Sequence, residues 1–252
     1  MSNIISESST RIKTGIVLVL VLLAVGYVDS FLLTWALLGG LMLVALKEAM
    51  LLFDIYEFRL YVVASITWIA SYFYPNPQDL IFVVFVVFAS YLAYTKDLNT
   101  KLFLPLMYPL ASFLFLFALY NSYGMDTLLW LLVVVAGADV GAYFVGKSIG
   151  KTSFCATSPN KTLEGVAGGI VTSAILGLLF SPADMTMSTT FIISLIVATA
   201  SVFGDLFESY LKREANVKDS GDILPGHGGI LDRTDGYLFG AIVMYVLLGS
   251  IA

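Results

Sequence analysis

The sequence has very little of the side-chain chemistry that cross-links small domains or binds zinc. Its 252 residues include one cysteine, Cys155, and one histidine, His227. A single cysteine excludes an intrachain disulfide and leaves no CxxC or Cys/His pattern for a zinc site. Only 12% of the residues are charged, well below the roughly 25% of soluble domains. The composition therefore argues against a soluble globular fold, and we expect no nucleic-acid partner.

The chain is rich in apolar residues instead. Hydrophobic residues make up 59% of it, and its mean hydropathy is +0.91. Strand patterns with a period of two are absent, and backbone in lipid must satisfy its own hydrogen bonds. The sequence therefore predicts an all-α, polytopic membrane helical bundle of about nine transmembrane or partial helices. The apolar runs are residues 15–28, 31–46, 60–74, 80–94, 102–120, 127–146, 165–180, 189–211 and 236–251.

The basic residues predict the orientation of the chain. With the amino terminus in the cytoplasm, nine spans place all 13 lysines and arginines on the cytoplasmic side. Positive charge in short loops sets orientation, so we expect a multi-pass protein of the inner (cytoplasmic) membrane whose long loops are cytoplasmic. Residues 15–28, with their basic flank, could also be a cleaved signal peptide. A retained helical hairpin is favoured because only Asp29 and Ser30 separate this run from the next.

The chain divides into two predicted domains. Residues 1–125 supply amino-terminal membrane helices. Residues 126–252 form a carboxy-terminal catalytic membrane domain with cytoplasmic loops at 147–163 and 212–235.

One segment of the first domain allows two interpretations. Residues 47–59 alternate charge and bulk, which suits a short interfacial helix that turns Met50, Phe53 and Phe58 toward lipid. An ordinary polar loop between two spans explains the same segment.

Two acids lie inside helices that lead into the long loops. Asp139 precedes Lys147 by eight residues, and Asp205 precedes Lys212 by seven. At about 1.5 Å per residue, both acids lie roughly 12 Å inside the cytoplasmic ends of their helices. An acid in the membrane costs about 2.5–3.5 kcal/mol on insertion scales, so we expect a shared partner or a water-filled cavity. A lysine partner would be purely structural, but the matched depths favour a functional role.

Helical spacing aligns further groups with Asp205. Ser201, Asp205, Glu208 and Lys212 fall at i, i+4, i+7 and i+11, with Ser209 beside them. Carboxylates and a hydroxyl on one helix face suit a hard cation such as Mg²⁺. A stripe of salt bridges explains this face as well, but it does not explain a second group of acids. That group comprises Asp219, Asp222, Asp232 and Asp235.

Two loops supply candidate phosphate contacts. The PGHGG turn before Asp232 lets backbone N–H groups approach a phosphate, although glycine-rich turns are common. His227 in this turn suits a general base, a phosphate donor or a structural hydrogen bond. The loop at residues 147–163 is basic and rich in hydroxyl groups. This composition suits the binding of a polyphosphate, but a positively charged loop that only sets the topology explains it as well. The loop fails the Walker A pattern because Gly150 comes one residue too early after Gly146.

The loops and acids of the carboxy-terminal half resemble the motifs of a known family. The segment from Ser209 to Asp235 resembles the signature of phosphatidate cytidylyltransferases, also called CDP-diacylglycerol synthases. That signature sets S, K-R, K-D, P-G-H-G-G, D-R and D at fixed spacing, and this sequence meets every position. The upstream motifs GADVGAYFVGKSIGK and SPNKTLEG extend the likeness over residues 136–240. Asn160 stands where the family has lysine, and Gly236 stands where serine is common.

The resemblance implies transfer of the cytidylyl group of CTP to phosphatidate, giving CDP-diacylglycerol and pyrophosphate for phospholipid biosynthesis. It implies Mg²⁺, with K⁺ as a candidate second cation, and the family is associated with homodimers. Membrane lipids are the other expected partners. The principal catalytic and metal-binding carboxylates that it implies are Asp205 and Asp232, with Asp235 and Asp219 alongside. We assign catalysis to Asp205, Asp232 and Asp235 together with Lys212. The metal ligands are Asp205, Asp219, Asp232 and Asp235, with Asp139 and Glu208 as further candidates. The phosphate contacts are Lys147, Lys151, Ser158, Lys161, Thr162, Arg213, Lys218, His227, Gly228, Gly229 and Arg233.

Two other functions remain open on the sequence alone. A CTP-dependent lipid-alcohol kinase would also use acids and lysines, but it would transfer the γ-phosphoryl group and need a base for a neutral hydroxyl. A cation transporter would explain Asp139 and Asp205, yet it has little use for basic, glycine-rich loops.

Overall fold

The computed structural model describes residues 2–96, 100–183 and 185–251. These residues are mostly helical and include no β-strand, only two isolated β-bridges. Six of their helical segments are long and apolar enough to cross a membrane. The predicted all-α polytopic bundle is confirmed, whereas the number of spans stays a prediction. The helices are α1 (Ser2–Val28), α2 (Phe31–Leu52), α3 (Phe58–Phe73), α4 (Leu80–Thr95), α5 (Phe103–Pro105), α6 (Ala111–Ile149), α7 (Leu163–Phe180), α8 (Met187–Glu214) and α9 (Leu231–Gly249).

Two local features explain the irregular middle of the chain. Helix α6 is interrupted at Gly124, whose φ of 79° and ψ of −178° are conformations that a residue with a Cβ rarely adopts. The predicted runs 102–120 and 127–146 therefore lie on the two sides of a backbone break. Before α6, Pro109 lies inside a π-helical turn at Leu106–Leu110. Proline has no N–H to donate, which disfavours a regular α-helix at this point.

The described residues form two compact units. The amino-terminal unit comprises the residues up to Phe117 together with Glu214–Thr234, and the carboxy-terminal unit comprises Ala118–Arg213 together with the residues from Asp235 onward. The sequence-based division at residue 125 assigned all later residues to one domain. In the structure, the loop after α8 and the first residues of α9 belong to the amino-terminal unit.

Two tryptophans join α2 and α3 in the amino-terminal unit. Trp35 Nε1 donates to the Trp68 carbonyl at 3.1 Å, and Trp68 Nε1 donates to the Trp35 carbonyl at 3.2 Å. Gly39 makes room for this pair, because a Cβ there would lie 2.7 Å from Trp68 Cδ1. Each indole N–H is thereby satisfied within an apolar interface, where an unpaired donor would be costly.

Small residues bring α6 and α7 together in the carboxy-terminal unit. A Cβ on Gly141 would lie 3.0 Å from Gly169 Cα, and a Cβ on Gly165 would lie 3.0 Å from Gly146 Cα. Close backbone approach at small residues is how membrane helices gain packing energy without a hydrophobic driving force. The glycines of the GADVGAYFVG segment therefore serve helix packing.

A separate interfacial helix at residues 47–59 is not present, so that prediction is wrong. Helix α2 runs on to Leu52, residues 54–57 are turn or irregular, and α3 begins at Phe58. Met50 is only 5% exposed and packs inside the unit, whereas Phe58, also predicted to face lipid, is 76% exposed. Glu57 caps α3, which fixes the break where the sequence suggested one continuous amphipathic segment.

Candidate active site

Three acids from three helices form a carboxylate cluster in the carboxy-terminal unit: Asp139 on α6, Asp205 on α8 and Asp235 on α9. The carboxylate of Asp235 is repelled by those of Asp205 and Asp139 and attracted by the ammonium group of Lys212. Asp205 accepts a hydrogen bond from Ser209 Oγ at 3.3 Å and forms an ion pair with Lys161. Asp139 and Asp205, the acids predicted from matched helix depth, thus both interact electrostatically with Asp235, and a partner that they share stays a prediction.

A second ion pair lies along α8. Lys212 pairs with Glu208 one helical turn earlier, and the Glu208 side chain is completely buried. The salt-bridge interpretation of the α8 stripe thus holds for this pair. It does not hold for Asp205, whose lysine comes from the loop between α6 and α7.

The loop between α6 and α7 is held in a closed shape by its own backbone. Phe154 N–H donates to the Lys161 carbonyl at 2.8 Å, and Leu163 N–H donates to the Thr152 carbonyl at 2.9 Å. Glu164 adds a carboxylate that accepts from the N–H of Lys151 at 3.1 Å and from the Thr152 hydroxyl at 2.9 Å. These contacts hold Lys161 at the point where it meets Asp205.

Other predicted contacts of this loop have local partners. Thr162 Oγ1 caps α7 by accepting from the Gly165 N–H at 3.1 Å, and the Ser158 carbonyl accepts from the Lys161 N–H at 3.1 Å. The Lys147 ammonium group lies 5.6 Å from the ring centroid of Tyr143, a cation–π contact. The side chains of Lys147 and Lys151 are exposed.

Asp232 lies in the amino-terminal unit, in the first turn of α9. Its Oδ2 accepts from Ser220 N–H at 2.9 Å, Ser220 Oγ at 2.9 Å and Gly229 N–H at 2.7 Å. Gly228 has a φ of 82°, and a Cβ there would lie 2.6 Å from Asp232 Oδ2. The glycines of the PGHGG turn therefore fold around this carboxylate. The Gly229 N–H, which was predicted to contact a phosphate, instead donates a hydrogen bond to Asp232.

Sequence reasoning missed Glu48 on α2. This carboxylate is 3% exposed and accepts from Ile230 N–H at 2.9 Å, Leu231 N–H at 2.8 Å and Ser220 Oγ at 3.3 Å. The available signal was an acid close to a long apolar run. Its adjacency to Lys47 suggested an exposed interfacial segment instead.

The remaining predicted residues lie along the loop between α8 and α9. Arg233 Nε donates to the His227 carbonyl at 2.9 Å, which ties the start of α9 to the PGHGG turn. The side chain of His227 is partly buried, while those of Arg213, Lys218 and Asp219 are exposed. Two predicted phosphate contacts, Arg213 and Lys218, and one predicted metal ligand, Asp219, are thus exposed on this loop or beside it.

Comparison with known proteins assigns the family. The model of the cytidylyltransferase family matches residues 9–251 of this chain. The chain belongs to the cytidylyltransferase family. A phosphatidate cytidylyltransferase of Helicobacter pylori (strain J99 / ATCC 700824) is 45% identical over 245 residues, which cover 96% of this chain and 92% of that protein. The enzyme of the same name from strain ATCC 700392 / 26695 is 44% identical with the same coverage. That of Bacillus subtilis (strain 168) is 48% identical over 132 residues, 51% of this chain and 49% of that protein.

The carboxylates of the candidate site are oxygen donors, the kind of ligand that a hard divalent cation takes. Among the residues that the structure describes, no group of three or more His, Cys, Asp or Glu side chains is arranged to hold a metal ion. Mg²⁺ does not require such a cage, because one or two carboxylates with water and substrate phosphates complete its shell. The Lys161 ammonium group on Asp205 already shows that a positive charge is accommodated beside the carboxylate cluster. A magnesium site at these carboxylates stays a prediction.

Proposed function

We propose that this protein transfers the cytidylyl group of CTP to phosphatidate, giving CDP-diacylglycerol and pyrophosphate. The observation that supports this most is identity of 44–45% over 96% of the chain to two enzymes named phosphatidate cytidylyltransferase. The chain is an enzyme, and its substrates are CTP and phosphatidate.

The reaction needs alignment more than it needs a base. The phosphate monoester of phosphatidate has a second pKa of about 6, so it is largely ionised near neutral pH. One of its oxygens attacks the α-phosphorus of CTP, a new P–O bond forms, and the bond to the β-phosphate breaks to release pyrophosphate. No proton has to leave a neutral hydroxyl. The protein must bring two polyanions together and offset their charge.

In our proposal, the lysines and the carboxylates of the candidate site have different roles. Lys161 and Lys212 contribute positive charge beside the carboxylate cluster, and we assign them to phosphate oxygens of the substrates. Asp205 and Asp232 are the principal catalytic carboxylates. Asp235 and Asp139 support Asp205, and Arg233 contributes a further charge at the start of α9.

Mg²⁺ is the cation that this donor set suits. We assign it to Asp205 and Asp235, with Asp232, Asp219, Asp139 and Glu208 as further candidate ligands, and K⁺ stays a candidate second cation. When bound, Mg²⁺ neutralises phosphate oxygens and the charge that develops on pyrophosphate. In our proposal, the lysines offset the remaining negative charge of the substrate phosphates and fix the direction of attack.

The protein is a multi-pass membrane protein, as its long apolar helices require. We further propose that it lies in the inner membrane with its amino terminus and candidate site in the cytoplasm. The support is the placement of all 13 basic residues on one side by the predicted topology. A homodimer and specific lipid contacts are proposals that rest on the family resemblance.

The deciding experiment supplies detergent-purified protein with phosphatidate, MgCl₂ and CTP labelled in the cytidine. Lipid extraction and thin-layer chromatography should show cytidine in the lipid fraction and one pyrophosphate per lipid formed. In a parallel reaction with diacylglycerol in place of phosphatidate, label that enters lipid only from [γ-³²P]CTP would identify a lipid-alcohol kinase instead. Cation flux into liposomes without CTP, and no lipid labelling, would identify a transporter.

A further inference from the structure

Glu48 is a buried carboxylate that the reaction described above does not use. It projects from α2, is 3% exposed, and accepts three hydrogen bonds from the loop before α9 and from the start of α9. A buried carboxylate is tolerated only where donors compensate its lost hydration. These donors lie more than 170 residues away along the chain, so the contact is part of the tertiary design.

The donors are the groups that a helix start leaves unpaired. Helix α9 begins at Leu231, and Ile230 before it has no side-chain acceptor to cap the first N–H groups. Glu48 supplies that cap from another helix, at 2.9 Å from Ile230 N and 2.8 Å from Leu231 N. A negative charge at a helix amino terminus is also favoured by the helix dipole.

Two glycines show that the loop is shaped to fit this carboxylate. A Cβ on Gly221 would lie 2.6 Å from Glu48 Oε1, and a Cβ on Gly229 would lie 2.6 Å from Glu48 Cδ. A larger residue at either position would displace Glu48 or the loop. The loop backbone can therefore approach Glu48 this closely only because glycine occupies both positions.

Ser220 connects Glu48 to Asp232. Its hydroxyl lies 3.3 Å from Glu48 Oε2 and 2.9 Å from Asp232 Oδ2, and its N–H donates to the same Asp232 oxygen. Gly229 N–H donates to that oxygen too, while Ile230 N–H, the next along the chain, donates to Glu48. A displacement of Glu48 would therefore move the Ser220 hydroxyl and the Gly229 N–H, which are two of the three donors that orient Asp232.

We propose that Glu48 is a positioning residue for cytidylyl transfer. It fixes Ser220 and the first turn of α9, and through them it sets the orientation of the Asp232 carboxylate. This inference rests on the proposed function, because it assigns Glu48 to the geometry of a catalytic carboxylate. Glu48 itself touches no substrate in this assignment.

The test replaces Glu48 in the full-length protein by Glu48→Gln. Glutamine keeps the size of the side chain but presents an N–H₂ donor where one backbone N–H or the serine hydroxyl needs an acceptor. For folded, monodisperse enzyme we expect kcat to fall by about 10–100-fold, as for other residues that orient a functional ligand. We expect the KM for CTP to change by less than about threefold, because the lost interaction concerns the geometry of the reaction step.

Leu46→Ala provides the matched control. Leu46 lies on the same helix, is fully buried and has an apolar side chain that cannot hydrogen-bond to the loop before α9. Its replacement should lower the midpoint of thermal unfolding and leave kcat per folded molecule unchanged. A Glu48→Gln variant that behaves in the same way would show a structural role only and would overturn the proposal.

The double variant Glu48→Gln with Ser220→Ala tests the route of the effect. If Glu48 acts through Ser220, the two losses in kcat are less than multiplicative. Fully multiplicative losses would contradict the proposal. If Glu48→Gln does not fold, Ser220→Ala alone is decisive: it leaves both backbone bonds of Glu48 intact, and a wild-type kcat would refute the link. Wild-type protein that forms no CDP-diacylglycerol would refute the function and this inference together, whereas an active wild type with a fully active Glu48→Gln variant would refute only the inference.

Discussion

Replacement of Lys161, which forms an ion pair with Asp205, should affect the activity of the enzyme far more than its stability. Both side chains keep some exposure, 28% for Lys161 and 29% for Asp205. A partly exposed ion pair contributes at most about 1 kcal/mol after solvent screening, and in a chain of this size that corresponds to about 2–4 °C in Tm. The loop is held independently by its backbone bonds at Phe154 and Leu163. The Lys161→Met variant should therefore fold with a Tm within about 4 °C of wild type.

The expected loss of activity is far larger. In our proposal, Lys161 neutralises charge on a phosphate oxygen during transfer, within a partly water-excluded site. Removal of one such electrostatic group typically costs about 2.7–4 kcal/mol, or 10²–10³-fold in kcat. The measurement is the initial rate of cytidine incorporation into phosphatidate by the purified variant, with kcat and the KM for CTP determined separately. Thermal unfolding of the same preparation supplies the comparison with stability.

The refuting results are specific. A folded Lys161→Met variant with kcat within about threefold of wild type would remove Lys161 from the site, because the predicted electrostatic loss is at least 10²-fold. Restored activity in the double variant Lys161→Met with Asp205→Asn would show that the lysine only neutralises the acid. Arg59→Gln is the matched control, since it breaks an exposed ion pair with Glu57 at 2.8 Å that belongs to no predicted site. It should leave kcat unchanged.

Three further predictions concern the loop before α9 and the metal. Asp232→Asn should abolish measurable turnover while Tm changes little, because the amide oxygen can still accept from Ser220; near-normal lipid labelling would remove Asp232 from catalysis. Gly229→Ala should lower both Tm and activity since its Cβ would collide with Ser220 Oγ, whereas Gly40→Ala, with nothing within 4 Å, should be neutral in both assays. Treatment with EDTA should abolish lipid labelling and added Mg²⁺ should restore it; full activity in EDTA would contradict the metal assignment.

The helices were predictable because long apolar runs permit little else in a membrane. Every predicted run is helical over nearly its whole length, and the break at Gly124 falls in the polar gap between two of them. The extent of α2 was not predictable in the same way. Its last two turns contain Lys47 and Glu48, and only tertiary packing shows that the second of these charges is buried.

Within the candidate site, local spacing predicted local contacts. The i, i+4 rule aligned Asp205 with Ser209 and Glu208 with Lys212, and both pairs are in contact. The partner of Asp205, Lys161, lies 44 residues earlier, and the contact from Glu48 to Leu231 spans 183 residues. No periodicity in the sequence connects positions so far apart, so these contacts needed the structure.

Asp232 and Asp235 illustrate why two acids of one motif need different explanations. They stand three residues apart on α9, yet Asp232 has one oxygen saturated by three donors from Ser220 and Gly229. Asp235 accepts only from the adjacent Gly236 N–H among the hydrogen bonds described, and it is repelled by Asp205 and Asp139. Donors that already stabilise a carboxylate reduce what a cation adds there, whereas crowded like charges increase it. We therefore expect a divalent cation to depend more strongly on Asp235 than on Asp232. Asp235→Asn should raise the Mg²⁺ concentration for half-maximal activity, and an unchanged Mg²⁺ requirement would contradict the assignment.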